Sequence, residues 1–152
     1  MSSLFKLELP SDFKPEQRTG AFVAVGPSDR QIQAGRIPWR ARLAITVPIV
    51  ELLVRVVGPE PFLGQLARPA RRILEANAEP GSLQITAEER SRLGGRPALA
   101  LRARYTKAGQ PLQVRGFFSF SSGKPVYLFL IGTKNDAMDW AEQIANRMQL
   151  LK

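Results

Sequence analysis

The chain has 152 residues, 44% hydrophobic and 23% charged, which fits one folded domain over residues 1–152 with a core that needs no covalent staples. It contains neither cysteine nor histidine, which excludes disulfides, thiolate or imidazole metal sites, and Ser-His-Asp or Cys-His catalysis. The net charge of +9 is concentrated between residues 40 and 124, where fourteen basic residues face six acidic ones, and a basic surface of this kind favours anionic partners.

At the N-terminus, Phe5, Leu7 and Leu9 alternate with Lys6 and Glu8, which predicts a half-buried strand stopped by Pro10. No basic stretch leads into an apolar run there, so a cytoplasmic protein is expected, or an envelope protein if a leader has been removed. Residues 11–20 read as polar and turn-rich, Ala21 to Val25 as a second strand closed by Gly26-Pro27, and Ser28 to Pro38 as a loop. Leu43, Ile45 and Val47 alternate with Arg42, Ala44 and Thr46, which predicts a third strand ended by Pro48.

Ile49 to Val57 fits either a strand, by its valines, or a short helix, by Pro48 before it, Gly58-Pro59 after it and the Glu51/Arg55 spacing; the balance favours helix. The whole 43–57 stretch is too broken by Pro48, Glu51 and Arg55 to span a membrane. Two readings of it stand: buried core, or an apolar groove for a partner's helix lined by Ile45, Val47, Ile49, Val50, Leu53 and Val54. Glu60 to Ala78 predicts an amphipathic helix with Phe62, Leu63, Leu66, Ala70, Ile73 and Leu74 inside, kinked or split at Pro69.

A β-meander follows. Leu83, Ile85 and Ala87 alternate, as do Leu99, Leu101, Ala103 and Tyr105, then Leu112, Val114, Gly116, Phe118 and Phe120. Turns are marked by Gly94-Gly95, Ala108-Gly109 and Ser122-Gly123. Val126 to Ile131 is apolar on both faces, which predicts a central or helix-covered strand. A last helix is predicted with Asp136 able to cap it, and with Ala137, Trp140, Ala141, Ile144, Met148 and Leu151 as its buried stripe. The sum is an α+β domain: a largely antiparallel sheet flanked by amphipathic helices.

Little here carries reaction chemistry. Gly123-Lys124 lacks the spacing and the following helix of a phosphate-binding loop. Glu88-Glu89 sits beside Arg90 and Arg92 before a turn and reads as a solvated charge cluster, while Asp136 and Asp139 belong to a helix start. No cofactor is called for. Arg102, Arg104 and Arg115 project from adjacent strands, with Phe117 on the face of Arg115; with Arg40 and Arg42 they form a candidate basic surface for nucleic acid or anionic lipid.

Leu93-Gly94-Gly95-Arg96-Pro97-Ala98-Leu99-Ala100-Leu101, then Gly109-x-Pro111-Leu112-x-Val114-Arg115-Gly116-x-Phe118, Val126 to Leu130 and a terminal helix with Trp140 resemble the PsbP/DcrB-like fold family. Phe5 to Pro10 is similar to that family's first strand, so the resemblance covers this strand and residues 83–152; residues 48–61 are longer and more apolar than in a typical member. The resemblance implies an α/β/α sandwich without catalytic residues and an accessory role. Its Eag-type subgroup implies a cytosolic, dimeric type VI secretion chaperone that shields an apolar helix of a protein partner.

Overall fold

The computed structural model describes residues 5–18, 21–37 and 46–150. Four strands come first: β1 (Phe5–Lys6), β2 (Lys14–Arg18), β3 (Ala21–Val25) and β4 (Gln31–Arg36). α1 (Thr46–Val57), a 3-10 helix (Glu60–Leu66) and α2 (Ala67–Asn77) follow, and then the meander: β5 (Gln84–Leu93), β6 (Arg96–Lys107), β7 (Gln110–Ser121) and β8 (Lys124–Thr133). α3 (Trp140–Arg147) and β9 (Gln149–Leu150) come last.

The meander forms as its alternation predicts, with each strand antiparallel to the next. It makes up four strands of a seven-stranded sheet in the order β2-β3-β4-β8-β7-β6-β5. β8 is the middle strand, and Val126 to Ile131 are all buried, because helices cover both sides of the sheet there. On one side α1, the 3-10 helix and α2 set Val54, Leu63, Leu66, Ala70 and Leu74 against Leu101, Phe118, Phe120 and Phe129. Phe118 and Phe129 meet edge to face with ring centroids 5.6 Å apart, a preferred aromatic geometry in a site without solvent. On the other side α3 sets Trp140, Ala141, Ile144 and Ala145 against Ala100, Phe117, Leu128 and Leu130. The result is the expected α/β/α sandwich.

Several local expectations are corrected. The turn-rich reading of residues 11–20 hides β2, whose Lys-Pro-Glu opening has no apolar alternation. It pairs only with β3, and an edge strand tolerates Pro15 because the missing N–H need not face a partner. The loop expected over 28–38 contains β4, which is inserted between β3 and β8. Its Ile32 and Ala34 face α3, whereas Gln33 is buried on the opposite side with its amide donating to Gln31 Oε1 at 2.8 Å. Gly35 lies under the Tyr127 ring, where a Cβ would come within 3.1 Å of ring atoms.

The third strand expected up to Val47 does not reach it: Thr46 and Val47 open α1, and Leu43 and Ile45 lie outside the described residues. Pro48 is the third residue of that helix, a first-turn position that needs no N–H partner, so it starts a helix rather than ending a strand. The split expected at Pro69 falls two residues earlier, between the 3-10 helix and α2, which puts Pro69 in the first turn of α2. Asp136 is not the cap of α3. Asp139 holds that position without a side-chain bond, and Ala137 is exposed. The helix ends at Arg147, and Gln149–Leu150 then pairs antiparallel with Phe5–Lys6.

Candidate functional site

Two surfaces stand out, one on each side of the sheet. The first is α1. Its inner side is fixed by Val54, which is only 2% exposed, and by Arg55, whose Nε donates to the Ser122 carbonyl at 2.9 Å in the β7–β8 turn. Gly58, with φ of +101°, closes the helix and donates its N–H to the Val54 carbonyl at 2.9 Å. The outer side carries Leu52 (59% exposed), Leu53 (40%), Val56 (75%) and Val57 (62%). At 100° per residue these four fall within an arc of about 140° that excludes Val54 and Arg55. Among the described residues, the only other exposed large apolar side chain is Val25, at 37%.

Of the groove residues expected from sequence, the structure makes Val54 part of the core and Leu53 part of the outer stripe. Val47, Ile49 and Val50 belong to the first two turns of α1, and Ile45 lies outside the described residues. Leu52, Val56 and Val57 were missed. The signal was present: these positions recur at helical spacing, but helix and strand readings of 49–57 were both open and only the helix puts them on one side.

The second surface is the basic end of the meander. Arg102 and Arg115 are direct cross-strand partners, and Arg104 lies between Gln84 on one neighbouring strand and Gln113 on the other. Arg102 and Arg104 are exposed, and neither side chain has an ion-pair partner among the described residues. Arg115 is more covered, and its Nη1 donates to Glu142 Oε1 of α3 at 3.3 Å. Phe117 is 5% exposed beneath α3, so it offers no face to a nucleic-acid base. Arg40 and Arg42 lie outside the described residues.

No group of three or more acidic residues able to hold a metal occurs among the described residues. Glu88 and Glu89 are exposed neighbours on β5 and therefore face opposite sides of the sheet. Lys124 begins β8 directly after a tight hairpin turn, so its surroundings are not those of a phosphate-binding loop. Burial pushes the Tyr105 phenol up to about 12, so it stays neutral at ordinary pH. No described helix is long and apolar enough to cross a membrane.

This arrangement is an α+β sandwich of the PsbP-like kind, and comparison with solved structures agrees. The chain is similar to a protein from Bacteroides thetaiotaomicron (TM-score 0.60, 12% identity, 98% of this chain and 46% of that one). It is also similar to LpqN, involved in cell envelope biogenesis of Mycobacterium tuberculosis (TM-score 0.52, 17% identity, 97% of this chain and 83% of that one). A third likeness is to cyanobacterial PsbP, CyanoP, from Synechocystis (TM-score 0.51, 12% identity, 97% of this chain and 86% of that one). The chain thus spans less than half the length of the Bacteroides protein. At these identities the shared property is the fold. No family model and no curated protein matches the chain.

Proposed function

We propose that this domain is a non-catalytic accessory module that shields an apolar helix of a protein partner against the outer side of α1. The observation that carries the reading is the stripe of Leu52, Leu53, Val56 and Val57, held outward by a helix whose other side is anchored in the core. An amphipathic or apolar helix laid along it would remove these side chains from water at about 25 cal/mol per Å² of apolar surface. This is the role that the resemblance to Eag-type chaperones implies, and a partner bound in this way would be met in the cytoplasm before export. The lack of histidine and cysteine is compatible with a module that binds without transforming its partner.

The test is a holding assay. A synthetic leucine–alanine transmembrane peptide is diluted from organic solvent into buffer containing the protein, and its aggregation is followed by light scattering. The wild type is expected to suppress aggregation, and Leu52→Asp and Val56→Asp to lose that effect while keeping the wild-type melting temperature. Equal protection by the wild type and both variants, or no protection by any, removes the proposal. Sedimentation of the free protein shows whether the same stripe also pairs two copies.

A further inference from the structure

Arg104, one of the unneutralised arginines of the meander, opens onto a concave site. A cleft of about 600 Å³, in the size range of small-ligand pockets, lies at the end of the sheet where β5 and β7 begin and β6 and β8 end. Its wall includes Ser82, Gln84, Arg104, Gln113, Lys134 and Asn135, and no carboxylate lines it among the described residues. The nearby acids are engaged elsewhere: Glu79 Oε1 accepts from the Gly109 amide at 2.8 Å, and Asp136 accepts from Arg30 at 2.9 Å.

The positive charge near the cleft is only partly neutralised within the protein. Like charges directly across two strands repel, and Arg102 faces Arg115 with Arg104 two residues away on the same side. Glu142 offsets Arg115, but no described acid offsets Arg102, Arg104 or Lys134. The burial of Phe117 leaves this face without an aromatic on which a nucleic-acid base could stack, which disfavours a nucleic-acid strand.

We propose that this cleft binds a phosphate-bearing ligand. Arg104 and Lys134 hold the phosphate oxygens, Arg104 through its planar fork and Lys134 as a point charge, and Arg102, two residues from Arg104 on the same side of β6, adds to the positive potential of that face. The site lies on the α3 side of the sheet, away from α1, and does not depend on the reading of that helix.

The experiment is calorimetric titration of the full chain with inorganic phosphate and with glycerol 3-phosphate. It is accompanied by co-sedimentation with pure phosphatidylcholine vesicles and with phosphatidylcholine–phosphatidylglycerol vesicles. Arg104→Gln and Lys134→Gln are each expected to weaken binding about tenfold, the scale of one lost charge-assisted hydrogen bond. Arg71→Gln, an equal charge change on the exposed surface of α2, is expected to leave it unchanged. Saturable binding of the soluble phosphates identifies a free small molecule, and binding confined to the phosphatidylglycerol vesicles identifies a lipid headgroup. The proposal is overturned if neither the soluble phosphates nor the anionic vesicles bind, or if Arg71→Gln weakens binding as much as Arg104→Gln. Tighter binding of single-stranded DNA than of either, insensitive to Lys134→Gln, overturns it as well. Arg104→Gln should keep full activity in the holding assay, which separates failure here from failure of the α1 reading.

Discussion

Arg30 and Asp136 are bonded across 106 residues of sequence, with Arg30 Nε donating to Asp136 Oδ2 at 2.9 Å. The same carboxylate accepts from the Met138 amide at 2.9 Å and from the Trp140 indole N–H at 3.2 Å. The Arg30 guanidinium also lies 5.1 Å from the centre of the Trp140 ring, which packs on Phe13. One acid therefore joins the residue before β4, the exit of β8 and the start of α3.

Burial alone would raise the Asp136 carboxyl, but the hydrogen bonds from Arg30, Met138 and Trp140, together with the Arg30 charge, hold it below its ordinary 3.8. A carboxyl lowered on folding contributes stability that is fully present above its unfolded value of about 4 and is lost as pH falls through the folded value. Asp136→Asn is expected to destabilise by about 1–3 kcal/mol at neutral pH. It should also flatten the acid limb of a denaturation-versus-pH profile. An acid limb unchanged from wild type would show that the cluster does not couple folding to this proton.

The two sides of α1 should respond in opposite ways to substitution. Val54→Ala removes buried methyl groups from the cluster with Leu63, Leu66 and Tyr127 and is expected to cost about 1–3 kcal/mol. Val56→Ala, at a position 75% exposed, should stay within about 0.5 kcal/mol of wild type. Urea denaturation of both variants checks this, and a loss at Val56 as large as that at Val54 would mean that the stripe is covered in the free protein.

Gly94 takes φ of +58° in the β5–β6 turn and donates its N–H to the Ala145 carbonyl at 2.9 Å. A Cβ there would collide with the Met148 carbonyl oxygen at the end of α3. Gly94→Ala is expected to cost more than about 2 kcal/mol, from backbone strain and from displacement of the helix end. Gly95→Ala is the informative control: φ is +82°, but a Cβ there meets nothing within 4 Å, so the smaller loss measures strain alone. Thermal melting of the pair separates the two contributions.

The meander was legible because each strand has its own hydrophobic alternation and its turns have glycines at positive φ, both properties of consecutive residues. The double-sided burial of β8 followed from its unbroken apolar run for the same reason. β2 and β4 were not legible. Lys14 to Arg18 is polar, as an edge strand can be, and Gln31 to Arg36 has only Ile32 and Ala34 as apolar alternation, its burial coming from pairing with the remote β8. The PsbP-like architecture could be read from local pattern, but the order of its sheet could not.

The candidate surfaces divide in the same way. Composition alone determined that histidine and thiol chemistry are absent and that the positive charge is in excess, because these depend only on which residues are present. Only the tertiary structure decided that Val54 turns inward while Val56 and Val57 stay in water, and that Arg104 shares a cleft with Lys134. Burial and proximity are set by which elements pack together, and the pairing of β4 with β8 and the placing of α3 across the sheet bring together residues that no sequence spacing connects.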